Sequence, residues 1–291
     1  MHKIEKRSCN SLLLTGHPKC GNVWLFGLLR SLIIGSGSDF RQMLEQQPVS
    51  KSFALMDLPI EGQSRYDQVH FRPLRAYQTI PNIFYWAIPD IHRFAAETSM
   101  VHTHCEWTAE TDWLIKAFSR QIVIIRDPRD VVLSFSQWMF SPFNLLHRPT
   151  EFQNPKDYLH ANFRQITQKW LAHQTSWLVR RDAYAPLHVV FYEQLVNDTA
   201  GELRLMADFL GLVISNSLLH SIAEEHSLPN TKRILPNHVW RGGWGNWLDD
   251  MSEEQVFTIQ EMTSVMLRKL GYPLNFEDAY DWNPGLLMRP R

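Results

Sequence analysis

The sequence predicts a single α/β domain over residues 1–291, with a central parallel sheet flanked by helices. Short, largely apolar runs at residues 12–14, 121–125 and 188–191 are typical of buried strands. They alternate with longer helical patterns, which is the order expected of a parallel sheet covered on both faces. The 291 residues, 44% of them apolar, are enough for one large core, and no repeat or linker divides them.

The first strand-turn-helix unit begins with the run at 12–14 and continues into a predicted helix over residues 23–34. The turn between them contains Gly16 and Gly21, which let the backbone approach a ligand closely. A turn at a helix N-terminus directs successive N–H groups at one spot, where a phosphate or sulfate group can bind. An ordinary strand-to-helix turn stays open as the alternative.

The spacing of Gly16 and Gly21 is similar to that of a nucleotide-binding P-loop, but the magnesium-binding residue of that loop is missing. A P-loop continues with Lys and then Ser or Thr, whereas Asn22 and Val23 stand here. The lysine of this turn, Lys19, lies inside it. The sequence therefore predicts an anion-binding turn that works without a metal.

Residues 38–100 are less regular and contain several prolines. We expect them to form pocket walls or a lid, with a surface excursion packed on the core as the alternative. A short strand is predicted at 100–105, where His102 and His104 face the same side because residues two apart in a strand do so. A helix is predicted over residues 111–118.

The second unit joins the strand at 121–125 to a helix that continues to residue 140, with Asp127 as its N-cap and Pro128 as its first residue. The third strand, 188–191, is followed by a turn at 192–194. Because ligands bind beyond the carboxyl ends of parallel strands, the turns at these ends are predicted to gather at one edge of the sheet. Further helices are predicted over residues 157–181, 199–210 and 252–270, and a loop over residues 229–247.

Bulk charge and cysteine content exclude several classes of partner. The net charge of −1 gives no field that favours nucleic acid or an anionic membrane, so neither partner is expected. Cys9, Cys20 and Cys105 are scattered and odd in number, which indicates a reducing compartment rather than a disulfide scaffold. The run at 12–14 is too short for a signal sequence or a membrane span. A cytoplasmic protein is predicted, and monomer and homodimer both stay open.

Five motifs, in order, resemble those of the cytosolic-type sulfotransferases. They are residues 18–24 (Pro-Lys-Cys-Gly-Asn-Val-Trp), Thr103-His104, residues 126–134 (Arg-Asp-Pro-Arg-Asp-Val-Val-Leu-Ser), Tyr192-Glu193 and residues 241–247 (Arg-Gly-Gly-Trp-Gly-Asn-Trp). The resemblance implies the P-loop-like sulfotransferase fold. It also implies transfer of a sulfuryl group from 3′-phosphoadenosine 5′-phosphosulfate (PAPS) to a hydroxyl or amine of a small-molecule acceptor, which leaves 3′-phosphoadenosine 5′-phosphate (PAP).

The same resemblance implies the site residues. His104 is the general base, and Lys19 both binds the donor and supports its leaving group. The 5′-phosphosulfate is implied to bind Lys19, Cys20, Gly21, Asn22, Val23 and Trp24, the 3′-phosphate Arg126, Ser134, Arg241, Gly242 and Gly243, and the adenine Trp24 and Tyr192. No metal is implied, in agreement with the missing magnesium ligand.

The chain departs from the family pattern in three places. His102 stands where the family has lysine, which leaves two histidines as candidates for the base, although position favours His104. Gly242 replaces a lysine of the last motif, so weaker 3′-phosphate binding is expected. Asn22 and Val23 replace two threonines, so one hydroxyl contact to phosphate is expected to be lost.

Plainer interpretations of these residues stay open. His102, His104 and Cys105 could belong to a metal cluster, although only the two histidines share a face. Cys20 could be a reactive thiolate at a helix N-terminus. Tyr192 could be core material.

Arg126 has its own alternative, because it could pair with Asp127 or Asp130 instead of a phosphate. Two competing functions also stay open for the whole chain. One is a kinase-like phosphoryl transferase with a variant P-loop, which would need ATP and magnesium. The other is a nucleotide-binding module without catalysis.

Overall fold

The computed structural model describes residues 11–43, 67–80, 84–179, 186–236 and 239–289. Parts of the sequence predictions therefore lie outside the described residues. These parts are residues 1–10 with Cys9, the segments 44–66 and 81–83 of the irregular stretch, residues 180–181 at the end of one predicted helix, residues 237–238 of the predicted loop, and residues 290–291.

Within the described residues, seven strands form one sheet. They are β1 (Leu12–Thr15), β2 (Gln68–Arg72), β3 (Arg75–Ile80), β4 (Phe84–Ile88), β5 (Met100–Thr103), β6 (Arg120–Ile125) and β7 (Leu187–Phe191). The order across the sheet is β4-β3-β2-β5-β1-β6-β7. Strands β2, β5, β1, β6 and β7 pair in parallel, whereas β2 with β3 and β3 with β4 are antiparallel.

The predicted α/β fold class is confirmed, with one correction in the stretch 38–100. Its described part contains β2, β3, β4 and a helix, α2 (Ile91–Glu97), so the sheet is mixed rather than wholly parallel. Strand β4 lies at the edge, and its side chains alternate between exposed and half-buried. Its sequence, Phe-Tyr-Trp-Ala-Ile, lacks the polar alternation by which a half-buried strand is recognised.

Helices accompany the strands along the whole described chain. They are α1 (Asn22–Gly35), α3 (Asp112–Ile115), α4 (Pro128–Met139), α5 (Pro142–His147), α6 (Pro155–Val179), α7 (Tyr192–Asn197), α8 (Thr199–Leu210), α9 (Asn216–Glu225), α10 (Leu228–Ile234), α11 (Trp247–Asp250), α12 (Glu253–Leu270) and α13 (Phe276–Tyr280), with a 3₁₀ turn at Pro284–Leu286. The predicted helices α1, α4, α6, α8 and α12 are confirmed, and α3 is shorter than predicted.

Two short helices correct the predictions near the C-terminal half. The turn predicted at 192–194 is the first turn of α7, and α10 occupies the first part of the predicted loop at 229–247. Pro229 is compatible with α10 because it lies in the first helical turn, where the missing N–H has no partner to lose. In the sequence alone the same proline is a loop signal.

The ends of the confirmed helices follow from local chemistry. The Asp127 side chain caps α4 by accepting a hydrogen bond from the Arg129 N–H. Ser252 and Gln255 form the predicted capping box at α12. Gly211 ends α8 with φ of +70°, a conformation that favours glycine.

Helix α6 packs across the carboxyl ends of the central strands. The indole N–H of Trp170 donates to the Arg126 carbonyl at 3.1 Å, and that of Trp177 donates to the Cys105 carbonyl at 2.9 Å. Both rings are fully buried. Strand register brings Thr15 level with Thr103 and Val123, so the chain leaves β1, β5 and β6 at one edge of the sheet. The fold therefore gathers the predicted turns at that edge.

Among the described residues, the longest helices are too polar to cross a lipid bilayer.

Candidate active site

The loop from Gly16 to Trp24, which we call the cradle loop, joins β1 to α1 in a tight turn. Lys19 has φ of +73° and Gly21 has φ of +100°, so the backbone is left-handed at both residues. A Cβ atom on Gly21 would lie 2.6 Å from the Tyr192 ring, which leaves room for glycine alone. The side chain of Asn22 closes the loop by donating to the His17 carbonyl at 2.9 Å.

Cys20 lies inside the cradle loop with its side chain fully buried. Burial raises the pKa of its thiol well above the usual range. A thiol that is both inaccessible and hard to ionise is a poor nucleophile. The structure therefore argues against a reactive thiolate at this position, and only the backbone of Cys20 is left to contact a ligand.

Lys19 lines a cavity at the carboxyl edge of the sheet. Its ammonium nitrogen lies 5.7 Å from the centre of the Trp138 ring. Desolvation, together with the neighbouring charge of Arg126, lowers the pKa of Lys19 to about 7. An anion in the cavity would reverse this effect, because it stabilises the charged amine.

His104 lines the same cavity, directly after β5. Its Nδ1 lies 2.6 Å from the carbonyl oxygen of Gly16. Since a carbonyl can only accept, Nδ1 carries the proton of the neutral ring and Nε2 keeps its lone pair. Desolvation lowers the pKa of His104 to about 4. The ring is thus neutral over the physiological range and is held in the tautomer that a general base needs.

His102 packs against His104 but does not line the cavity. The two ring centres are 4.3 Å apart and the rings are nearly perpendicular. His102 is 1% exposed, and burial holds its pKa well below the usual range. The shared face predicted for the two histidines is present, and the geometry brings His104 rather than His102 to the cavity.

Two further histidines, His17 and His173, surround this pair and are not singled out by the sequence. His173 Nε2 lies 3.2 Å from the Thr15 hydroxyl, and burial holds its pKa well below the usual range. Desolvation and the nearby His104 lower the pKa of His17 to about 3. In the described part of the chain, no group of three or more His, Cys, Asp or Glu side chains is arranged to hold a metal. The metal-cluster interpretation therefore gains no ligand set.

Arg126, at the end of β6, joins opposite walls of the cavity. It donates from Nη1 to the Lys19 carbonyl at 3.2 Å and from Nη2 to the Gly243 carbonyl at 3.1 Å. Its guanidinium lies 4.2 Å from the centre of the Tyr192 ring. The buried Nε–H has no hydrogen-bond partner among the described residues. One strong donor is therefore available for an anionic ligand.

The ion pairs near Arg126 show which of the two predicted aspartate partners it has. Asp127 pairs with Arg129 at 2.6 Å, so it is not the partner of Arg126. Asp130 lies 3.9 Å from Arg126 Nη2, beyond hydrogen-bond distance but within ion-pair distance, so the predicted pairing of Arg126 with Asp130 is present as a long ion pair. The buried carboxylate of Glu193 braces the segment that follows Arg126, because it accepts from the Asp127 N–H and the Tyr272 hydroxyl, each at 2.8 Å.

An aromatic pair lines the cavity. The rings of Trp24 and Tyr192 meet edge to face with their centres 5.7 Å apart. The indole N–H of Trp24 donates to the His226 carbonyl at 2.6 Å, which fixes the ring. Both residues line the cavity although their side chains are largely buried. This nearly perpendicular pair offers aromatic contacts for a nucleobase, with the Arg126 guanidinium already lying over the Tyr192 ring.

The last wall is the loop from Val239 to Trp247, which we call the cover loop. Gly242, Gly243 and Gly245 have φ of +76°, +69° and +78°. Arg241 is nearly half exposed and pairs with Asp250 at 2.6 Å.

The cavity enclosed by these walls has a volume of about 240 Å³. The sequence-predicted residues that line it are Lys19, Gly21, Asn22, Val23, Trp24, His104, Arg126, Ser134, Tyr192, Arg241 and Gly242. The side chain of Cys20 does not, and Gly243 reaches the site through its carbonyl bond to Arg126. Lining residues that the sequence did not single out for the site include Gln68, Asp130, Arg148, Leu228 and Thr231.

A family model described as a sulfotransferase domain matches residues 10–271. Sulfotransferase 2A1 of Mus musculus is 25% identical over 134 residues, which are 43% of this chain and 45% of that protein. The match therefore spans just under half the length of that relative.

Two solved structures resemble the whole described fold. Mouse sulfotransferase SULT7A1 complexed with PAP has a TM-score of 0.57 at 19% identity, over 89% of this chain and 84% of that chain. Retinol dehydratase in complex with androsterone and the inactive cofactor PAP has a TM-score of 0.57 at 16% identity, over 89% and 81%. At these identities the likeness shows the fold, and it confirms the predicted P-loop-like sulfotransferase architecture.

Proposed function

This chain belongs to the sulfotransferase domain family, and on that premise we propose that it transfers a sulfuryl group from PAPS to a hydroxyl or amine of a small-molecule acceptor. The single observation that carries the proposal is the hydrogen bond between His104 Nδ1 and the Gly16 carbonyl. It ties a neutral base to the loop that carries Lys19. A proton acceptor and a cation for the leaving group thus share one rigid turn.

The residues of the cavity fit a nucleotide with two separated anionic groups. The cradle loop offers backbone N–H groups from Cys20 to Trp24 and the amine of Lys19 to the 5′-phosphosulfate. A Cβ on Gly16 would clash with Asn22 and Ile124, and one on Gly21 with the Tyr192 ring, so the close packing behind the loop admits only glycine at both positions. In this proposal the loop binds the anion through N–H donors and an amine, and no metal ion takes part.

The second anion site lies around Arg126, which brings one unused buried donor. Ser134, eight residues after Arg126 and within α4, lines the same cavity. Arg241 and the backbone at Gly242 and Gly243 would complete the binding of a 3′-phosphate from the cover loop. Arginine suits a terminal phosphate because it donates two parallel hydrogen bonds.

His104 performs the proton step in this proposal. PAPS supplies the sulfuryl group. The acceptor oxygen or nitrogen forms the new bond to sulfur, the bond from sulfur to the phosphate oxygen breaks, and PAP leaves. His104 Nε2 takes the acceptor's proton, while its Nδ1–H stays on the Gly16 carbonyl and keeps the ring oriented. Lys19 stabilises the negative charge that grows on the leaving phosphate.

The proposal also covers the domain extent, the location and the partners of the protein. We infer one domain over residues 1–291, a cytoplasmic location and a small-molecule acceptor, with neither nucleic acid nor membrane as a partner. SULT7A1 and retinol dehydratase were both solved with PAP, and retinol dehydratase with androsterone, which supports a nucleotide and a small molecule as ligands of this fold. A homodimer is one option for the assembly, and sedimentation would decide it.

A labelled-transfer assay tests the reaction directly. The protein is supplied with ³⁵S-labelled PAPS or with γ-³²P-labelled ATP and magnesium, together with a panel of phenols, alcohols and amines. We expect label transfer from PAPS that a chelator does not reduce. Transfer from ATP alone, abolished by the chelator, would identify a kinase-like enzyme. PAP binding by calorimetry without turnover across the panel would favour a binding module.

A further inference from the structure

A buried carboxylate fastens the cover loop to α4. Asp130 accepts a hydrogen bond from the Gly245 N–H at 2.7 Å and another from the Trp247 N–H at 3.2 Å. It is 1% exposed and lies in the first turn of α4, four residues after Arg126. On the basis of the proposed function, we propose that Asp130 positions the cover loop over the cavity and thereby strengthens binding of the nucleotide's 3′-phosphate.

The hydrogen bonds of Asp130 and Arg126 have the same target. Asp130 holds the backbone N–H groups of Gly245 and Trp247, while Arg126 holds the Gly243 carbonyl at 3.1 Å. The two side chains are 3.9 Å apart, so each has its shortest contacts with the loop rather than with the other. Together they hold the backbone of the loop, Asp130 by accepting from its N–H groups and Arg126 by donating to its carbonyl.

The tryptophans of the cover loop are held by packing, since Trp244 meets the Trp282 ring edge to face and Trp247 is buried, but its glycine segment is less constrained. A Cβ on Gly243 would meet no atom within 4 Å, so this part of the loop is not packed against a neighbour. Glycine-rich chain also loses more conformational freedom on ordering than other residues do. Bonds to Asp130 order the loop before the ligand arrives, and a preorganised site binds more tightly because that entropy is already lost.

Asp130 also faces the space beneath the loop. It lines the main cavity on one side, and on the other a small cavity of about 10 Å³ bounded by Trp244, Gly245 and Trp247. A carboxylate near a phosphate would by itself repel it. A repellent charge and a loop anchor predict opposite changes in nucleotide affinity when Asp130 is replaced. Removing a mere repellent charge would tighten nucleotide binding, whereas removing an anchor would weaken it.

The test compares Asp130→Asn with Asp249→Asn. The amide keeps the size of the carboxylate but places an NH₂ where one N–H must be accepted. Asp249 is an exposed acid on α11 beside the same loop, so its variant removes the same charge without the buried contacts. Two ligands are titrated by calorimetry, namely PAP and 5′-AMP, which lacks the 3′-phosphate. The rate of tryptic cleavage after Arg241 is followed by mass spectrometry without ligand.

For Asp130→Asn we expect PAP binding to weaken by about 10- to 100-fold, the range given by loss of a charge-assisted hydrogen bond, with 5′-AMP binding nearly unchanged. Cleavage after Arg241 should accelerate by a similar factor. The Asp249→Asn protein should behave as the wild type in both measurements. Unchanged or tighter PAP binding by Asp130→Asn, or unchanged cleavage, would overturn the proposal.

A second variant covers the case in which Asp130→Asn fails to fold. Gly243→Ala disturbs the loop from its own side, because alanine disfavours φ of +69° and its Cβ meets no neighbour. It should reproduce both effects, and wild-type behaviour would count against the anchor. If the wild-type protein does not bind PAP, the proposed function fails. The cleavage rates without ligand still decide whether Asp130 holds the loop.

Discussion

The cradle loop and the cover loop present left-handed glycines to the same cavity, yet they are held in different ways. Gly21 is wedged against the Tyr192 ring, whereas a Cβ on Gly243 would meet nothing within 4 Å. The cradle loop is continuous with the buried strand β1 and the buried face of α1. The cover loop is held by aromatic packing at Trp244 and Trp247, and its glycine segment by polar bonds from Arg126 and Asp130. We infer that the glycine of the cradle loop is fixed by packing, whereas the glycine segment of the cover loop is fixed mainly by a few hydrogen bonds that can be made and broken.

This difference suggests a division of labour. Groups that must be placed accurately for the chemistry, Lys19 and His104, are attached to the packed wall. Arg241 belongs to the adjustable wall and reaches solvent. Changes on the packed wall should therefore affect reaction rate and folding, and changes on the adjustable wall should affect affinity.

The largest effect is expected from His104→Ala. The transfer rate should fall by about 10²–10⁴-fold, because a positioned general base typically contributes that much. PAP affinity should stay within about two-fold, since in the proposed reaction His104 takes the acceptor's proton and is not among the groups proposed to bind the phosphates. Single-turnover kinetics and calorimetry measure the two quantities. His92→Ala, an exposed histidine of α2, is the control. Full activity of His104→Ala would move the base to His102 or elsewhere.

The next test compares two glycines for stability. Gly21→Ala should lower the free energy of unfolding by about 2–5 kcal/mol, the sum of left-handed strain and overpacking against Tyr192. Gly243→Ala should cost only the strain, about 1–2 kcal/mol. Urea unfolding of both variants measures the difference. Equal losses would show that the two loops are held alike.

A smaller effect is expected from pH. The pKa of Lys19 is lowered to about 7 in the unligated protein, first by desolvation and then by Arg126. A bound phosphate raises that pKa, so the complex holds more protons than the free protein above pH 7. PAP affinity should therefore fall as pH rises from 7 to 9, by up to about ten-fold per unit. Lys19→Met should remove this slope while Arg241→Gln keeps it. A flat wild-type profile would contradict the expected titration.

The smallest effect is expected from Arg241→Ala. Loss of one exposed cation should weaken PAP binding by only about 3- to 10-fold, because its contact is shared with solvent and with Asp250. The free energy of unfolding should change by less than about 0.5 kcal/mol. Calorimetry and urea unfolding again give both values. A large loss of stability would mean that the cover loop supports the fold as firmly as the cradle loop does.

The sequence predicted those elements whose signals are local. The apolar run of β1, the proline and aspartate that open α4, and the capping box of α12 each act within a few residues of their own position. Strands β2 and β3 were missed although they are neighbours in sequence, because the two residues that connect them are Pro73 and Leu74, with no glycine or asparagine to mark a hairpin. Strand β4 in particular has aromatic residues on both faces of a sheet edge, so periodicity gives no sign of it.

The site followed a similar rule. Lys19, Arg126, Ser134 and Tyr192 were predicted from motifs, and the fold brings them to one cavity. Asp130 stands inside one of those motifs, but its function depends on Gly245, 115 residues away. No spacing in the sequence connects two such residues. The tautomer of His104 was likewise hidden, because it is set by the Gly16 carbonyl, 88 residues away along the chain.

The left-handed backbone at Lys19 has a practical consequence. Glycine adopts that conformation without steric cost, so Lys19→Gly removes the amine and leaves the turn undisturbed. Such a protein would offer a vacant channel for small alkylammonium ions added to the buffer. Restored turnover as a function of alkyl length would then chart how far from the backbone the missing charge has to stand.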